Sequence, residues 1–231
     1  MSATVPAPLP TLPSPRIAAW VLIVWVLCYP LVSMFVLPHA PAAASALGEI
    51  RARLVNEAPR WSYAGAALLL ALRWQRVAPA VLGLRRPSLK SLGVGLLGTA
   101  LAFALAIAAK VALSGFSQPE DDRAAVATMI HGSLGYAALM ALGAGLVEEV
   151  LFRGLLIAEV TRLTGRPVLS AILSGLAFVL AHGLTFNWVQ LAMAAMATIA
   201  LTAIFLWRRD LTANVIAHAL IDLVSFAHAL P

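Results

Sequence analysis

The sequence is short of charge. Of its 231 residues only 11% are Asp, Glu, Lys or Arg, while 61% are hydrophobic. Soluble domains carry about 25% charged and about 45–50% apolar residues. Too little polar surface exists to cover a water-soluble body, so the natural class is a polytopic membrane protein. Cysteine is almost absent. The lone Cys28 excludes an intrachain disulfide and a Cys-based zinc site. Lysine is scarce as well, two residues against fourteen arginines. The net charge is +6, yet no basic run interleaves with aromatics. That charge therefore reads as loop charge that orients a membrane protein, and a nucleic-acid partner is not expected. There is no H-E-x-x-H, which excludes a zincin-type site by pattern, and no repeat at a fixed period.

What is present is a series of long apolar runs, and the expected fold class is all-α, a membrane bundle of about seven transmembrane helices. Residues 1–16 hold five prolines and form a flexible tail. The first span is Ile17–Leu37, kinked at Pro30. It is longer than the ~7–15 residues of a signal-peptide core, so a retained helix is expected despite the cleavable-looking "HAPAAASA" after it. A short span follows near Trp61–Trp74. Then come Ser91–Gly115, Ser133–Ala158, Pro167–Gly183, Phe186–Trp207 and Leu211–Leu230. With the N-terminus cytoplasmic, the inner segments hold ten basic residues: Arg16, Arg73, Arg76, Arg85, Arg86, Lys90, Arg162, Arg166, Arg208 and Arg209. The outer loops hold four, Arg51, Arg53, Arg60 and Arg123, beside the acidic group Glu120, Asp121 and Asp122. This asymmetry puts the C-terminus outside. The Ala/Arg-rich, Lys-poor composition suits a bacterium with GC-rich DNA, hence an inner-membrane location.

Few ionisable residues remain inside the spans: Lys110, Glu148, Glu149, Arg153, His182, His218, Asp222 and His228. Intramembrane charge is costly and is a functional hypothesis by default. Lys110 can snorkel from the end of its span. His228 is interfacial, and His39 and His131 are loop or helix-end residues with no visible partner. The others show helical spacing. Glu149 and Arg153 are i,i+4, with Glu in the favourable N-terminal position, and a structural ion pair is the plain alternative to a catalytic role. Glu148 is rotated by about 100° from Glu149, so one carboxylate can be neutralised while its neighbour faces elsewhere. Phe178 and His182 are i,i+4, and Asn214, His218 and Asp222 line one face of the last helix. For Phe178 plain packing is the expected role, and for Asn214 a bond to helix backbone.

At about 1.5 Å rise per residue, Glu148, His182, His218 and Asp222 lie at overlapping depths within a ~30 Å hydrocarbon layer. They can therefore meet in one buried polar pocket. Two carboxylates, two imidazoles and an Asp in a dry pocket suit peptide hydrolysis. A buried carboxylate takes a proton from water, and an imidazole holds that water or stabilises the oxyanion. The same groups could hold a zinc ion through Glu148, His182 and His218; no metal is assigned. Buried Glu, His and Asp chains also make proton relays, so a proton- or ion-coupled transporter is a second reading. Against it, no inverted repeat and no matched pair of broken helices is visible.

The three motifs together, "EEVLFRG" (Glu148–Gly154), "FVLAH" (Phe178–His182) and "HALID" (His218–Asp222), resemble the CAAX-protease and bacteriocin-processing family, which includes the type II CAAX prenyl endopeptidases. The resemblance covers about residues 131–227. It implies a multi-helix intramembrane endopeptidase, described as glutamic-type and earlier as metal-dependent, with a catalytic core over residues 131–231 and variable transmembrane helices over 17–130. It implies Glu148 as general base acting on water with His182. Glu149 and Arg153 would organise the site, Glu149 also reaching water or metal. His218 and Asp222 would take the oxyanion-stabilising or second-ligand position. Relatives often carry Asn where this chain has Asp222. A non-catalytic binding or immunity protein of the same fold is a third reading. The implied partners are the lipid bilayer and a protein or peptide substrate with a membrane-associated segment; prenylated substrates are not expected in a bacterium.

Overall fold

The structure is a computed structural model that describes residues 15–35, 49–116, 133–183 and 186–229. Within the described residues it is all helical, with no strand. Helix α1 is Pro15–Phe35 and runs on through Pro30. Helix α2, Glu49–Leu69, passes directly into a π-helical turn, Leu70–Trp74. Helix α3 is Leu89–Ala112. Helix α4, Leu134–Glu148, passes into a π-helical segment, Glu149–Leu156, and then into α5, Ile157–Thr164. Helices α6, α7 and α8 are Pro167–His182, Trp188–Arg208 and Leu211–Ala229.

Four helices are long and apolar enough to cross a membrane: α1 over Pro15–Val32, α3, α7 and α8; α6 is apolar but shorter. Their outer faces carry bare apolar side chains, including Trp20, Leu97, Ile107 and Leu180. In water such surfaces would drive aggregation; in a bilayer they are the lipid contact. The chain is an integral membrane protein.

Two expectations change. The second rod begins at Glu49, about three turns before the expected Trp61. Arg51, Arg53 and Arg60 therefore lie on helical backbone, not in a loop. Their charges hid a helix that propensity and packing, not hydropathy, sustain. The rod that starts at Leu134 also runs past Ala158 to Thr164. Residues 1–14 of the proline-rich tail, His39, the Glu120–Asp121–Asp122 group, Arg123 and His131 lie outside the described residues.

Polar bonds gather one end of the bundle. Gln75 Nε2 donates to Ala18 O, and Arg162 Nη2 donates to Gln75 Oε1, each at 2.7 Å. The Leu211 N–H donates to Gly83 O at 2.8 Å. Ser91 Oγ donates to Asp210 Oδ2 at 2.7 Å, while Asp210 Oδ1 caps α8 by accepting from the Ala213 N–H at 3.2 Å. The start of α1, the end of α2, the start of α3, the end of α5 and the α7–α8 turn thus share one end.

Helix α8 lies against both α3 and α4, and glycine sets the distance. A Cβ on Gly95 would stand 2.7 Å from Ile216 Cγ2 and 3.0 Å from Ala213 O. One on Gly145 would stand 3.0 Å from the Ala219 nitrogen. Backbones approach this closely only where side chains are missing, the usual device for joining helices in lipid. The consequence is local: α8 presents His218 to the rod that carries Glu148 and Glu149.

Candidate active site

The site is built on the π-helical segment. Helical turns widen there because the Ile157 N–H bonds to Phe152 O, five residues back. The same carbonyl accepts from Ser174 Oγ of α6 at 2.6 Å, in the core. A hydroxyl on the neighbouring helix thus holds a turn that an α-helix would not form alone. Such π segments recur at functional sites because they re-aim side chains. The sequence carried no sign of this one; its cause is tertiary.

Glu149 opens the segment and is wholly buried. Its Oε1 accepts from Arg153 Nη1 at 2.9 Å and lies 2.8 Å from His218 Nδ1. Its Oε2 accepts from Asn214 Nδ2 at 3.1 Å. The same amide nitrogen donates to Leu201 O at 2.9 Å, tying α8 to α7. Two helical rods thus meet on one carboxylate with both oxygens engaged and no exposed surface, and Asn214 links them to a third. Asn214 bonds backbone, as expected, and the carboxylate besides.

Arg153 is 1% exposed, and its guanidinium carbon stands 4.4 Å from the centroid of the Phe178 ring. A cation over an aromatic face is attracted by the ring quadrupole. Phe178 also meets Phe152 edge-on at 5.3 Å and His218 edge-on at 5.9 Å, and lies 4.6 Å from His182. It is the apolar hub that the charged groups surround. Arg153 Nη2 and Asn214 Oδ1 have no hydrogen-bond partner among the described residues, so this cluster is not fully satisfied.

Glu148, one residue earlier, stands in a different setting. Its side chain is 15% exposed. Its Oε2 lies 3.9 Å from His182 Nε2 and 3.7 Å from His218 Nε2. Asp222 Oδ2 lies 3.6 Å from the same His218 Nε2, and the Asp222 side chain is 24% exposed. These gaps exceed direct hydrogen bonds, and the partial exposure of Glu148 and Asp222 leaves room for a water beside the pairs. His182 is oriented through Nδ1, 2.9 Å from Phe178 O, which leaves Nε2 toward Glu148. The structure brings Glu148, Glu149, Arg153, Phe178, His182, Asn214, His218 and Asp222 into one locus. Lys110 is an exposed side chain of α3, and His228 an exposed one of α8.

Two imidazoles and a carboxylate are donors that zinc accepts. Four ligands at about 2.0–2.1 Å, however, sit roughly 3.3 Å apart. Among the described residues no three His, Cys, Asp or Glu side chains are grouped to hold a metal ion. The donor chemistry fits zinc, and the separations of 3.6–3.9 Å are wider than those of a tetrahedral set.

Sequence reasoning passed over three buried carboxylates. Asp210 joins α3 to α8, and its place just before an apolar run was the N-cap signal that marks it. Glu159, 1% exposed, pairs with Arg162. Glu57, 2% exposed, lies 3.5 Å from Arg60 Nη1; it could not be recognised while its helix was read as a loop.

Residues 130–224 match the family model described as Type II CAAX prenyl endopeptidase Rce1-like. That segment covers the rod from α4 to α5, all of α6 and α7, and most of α8. No curated protein and no solved structure matches the chain.

Proposed function

Through residues 130–224 the chain belongs to the Rce1-like type II CAAX prenyl endopeptidase family, and on that premise we propose that it is a glutamic-type intramembrane endopeptidase, hydrolysing a peptide bond in a membrane-associated protein or peptide. The observation that carries the reading is the pairing of Glu148 with two imidazole Nε2 atoms at 3.7 and 3.9 Å, beside a second carboxylate that is fully bonded.

In this mechanism a water sits beside Glu148 Oε2 and His182 Nε2, in hydrogen-bond reach of both. Glu148 takes one proton as the water oxygen bonds to the scissile carbonyl carbon. The tetrahedral oxyanion turns toward His218 Nε2, which donates to it when the imidazole is doubly protonated. Glu148 then returns the proton to the leaving amine as the C–N bond breaks. Glu149 is a positioning residue, because its oxygens hold His218, Asn214 and Arg153. Asp222 lines the mouth beside His218.

The three rods not counted as apolar spans also cross the bilayer, giving seven crossings. The end that gathers Arg16, Arg73, Arg76, Arg85, Arg86, Lys90, Arg162, Arg166, Arg208 and Arg209 faces the cytoplasm of a bacterial inner membrane, with the C-terminus outside. The test uses purified protein in detergent with a library of membrane-associated peptides read by mass spectrometry. Cleavage that disappears in Glu148→Gln supports the reading. Ion flux in liposomes without any cleavage would replace it with a transporter.

A further inference from the structure

At the end of the bundle away from the carboxylates lies a cavity of about 430 Å³. Its polar lining is Arg162, Arg209, Thr161 and Glu159, and Val81 and Ala158 are part of its apolar wall. Two guanidiniums face one carboxylate, and that carboxylate is already taken: Glu159 Oε2 accepts from Arg162 Nε at 3.0 Å and from Nη2. Arg209 makes no ion pair among the described residues; its guanidinium stands 5.4 Å from the Phe205 ring centroid. Thr161 Oγ1 is buried and has no hydrogen-bond partner among the described residues. A mid-helix threonine normally satisfies itself on the preceding turn; this one does not.

Two helix ends also meet at this cavity. The described residues hold two non-glycine positions with left-handed φ, Arg209 at 48° and Arg76 at 55°. Both are arginines. Arg209 lines the cavity, and Arg76 directly precedes Val77, another of its lining residues. Arg209 holds this conformation as the C-cap of α7, its N–H donating to Phe205 O.

We propose that this cavity binds the phosphate of an anionic phospholipid headgroup, held by the Arg209 guanidinium and by Arg162, which Glu159 and Gln75 fix beside it. Guanidiniums present forked donors that match phosphate oxygens, and basic pockets between transmembrane helices take anionic headgroups. The apolar wall, with Val81 half exposed, suits the glycerol and upper acyl chain, which a free phosphate would leave uncovered. The site also touches the strap from Arg162 through Gln75 to Ala18, so a bound lipid would brace α1 against α5.

The experiment is native mass spectrometry of the full chain, released from micelles containing phosphatidylglycerol or phosphatidylcholine. Two variants accompany it. Arg209→Asn removes the charge with a residue that tolerates left-handed φ, and Val81→Trp fills the cavity without changing charge. The expected result is selective retention of phosphatidylglycerol, about fivefold weaker in Arg209→Asn and lost in Val81→Trp. Equal retention of both lipids, or wild-type retention in both variants, would overturn the site. Displacement of the lipid by inorganic phosphate at equal concentration would overturn the lipid assignment in favour of a free phosphate; persistence supports it. No activity is read, so the outcome stands apart from the proteolytic reading.

Discussion

Glu148 and Glu149 are neighbours in the chain and opposites in the fold. Glu149 is sealed among Arg153, His218 and Asn214 with both oxygens engaged. Glu148 keeps partial exposure and stands 3.7 and 3.9 Å from its imidazoles, beyond direct hydrogen bonds. The same side chain, shifted by one residue on a helix, serves two ends. One carboxylate is spent on geometry, which a buried charge demands. The other stays partly exposed beside two imidazoles, which is what the proposed proton acceptor requires. The difference teaches that burial alone does not separate two neighbouring carboxylates; under the proposed mechanism, the one with room beside it is the base.

The comparison breaks most sharply by neutralising each member in turn. Glu148→Gln should lower peptide cleavage by about 10²–10⁴-fold, the usual span of general acid–base catalysis, with no change in thermal stability in detergent. Glu149→Gln should lose stability together with activity, because Arg153 is left without its counter-charge. Parallel melting and cleavage measurements check both. A Glu148→Gln protein that cleaves at the wild-type rate would end the general-base role.

Next in size is the cation. Arg153→Ala leaves Glu149 charged and buried, and one-sided loss of such a pair costs about 3–5 kcal/mol. The expected outcome is a clearly lowered melting temperature with activity lost in proportion to unfolded protein. An unchanged melting temperature would show that the pair contributes nothing.

Much of this division was legible beforehand and part of it was not. The i,i+4 spacing of Glu149 and Arg153, and of Asn214, His218 and Asp222, already placed these groups on common faces. An apolar run leaves little doubt about a buried helix, and α6, α7 and α8 fall within a few residues of their expected bounds. Two things lay beyond reach. The charge of Glu49–Arg60 disguised the first half of α2, since hydropathy detects lipid-facing helices and not those packed on protein. The π-helical segment has no local signature. It depends on Ser174, twenty-two residues from Phe152 in sequence and in contact with its carbonyl, and only tertiary packing joins them.

That dependence supplies a smaller test. Ser174→Ala removes the hydroxyl that holds Phe152 O in a dry core and should cost about 1–3 kcal/mol. The effect on cleavage should exceed what the stability loss predicts at the assay temperature, because the turn also aims Glu149 and Arg153. Ser174→Thr keeps the hydroxyl and should restore most of the rate. A Ser174→Ala enzyme with wild-type cleavage and stability would show that the π segment holds without its prop.

The smallest effect is expected at Asp222, and it decides how open the reactive half is. Asp222 Oδ2 and Glu148 Oε2 both approach His218 Nε2, at 3.6 and 3.7 Å. In the metal-free mechanism one proton acceptor suffices, and Asp222 is a second acid at the mouth where relatives of the resembled family often carry an amide. Asp222→Asn keeps the shape, removes a negative charge beside the developing oxyanion and adds a donor. Cleavage should then stay within a few-fold of wild type or rise, and a strong chelator should leave both proteins unchanged. A metal would reverse each sign. An ionised Asp222 would serve as an oxygen ligand or orient His218, so the amide would weaken the site and added zinc would partly restore it. The measurement is the cleavage rate of both proteins with and without chelator and zinc. Wild-type activity that vanishes on chelation and returns with zinc would make Glu148 a ligand instead of a base, and the contrast with Glu149 would then be one of coordination.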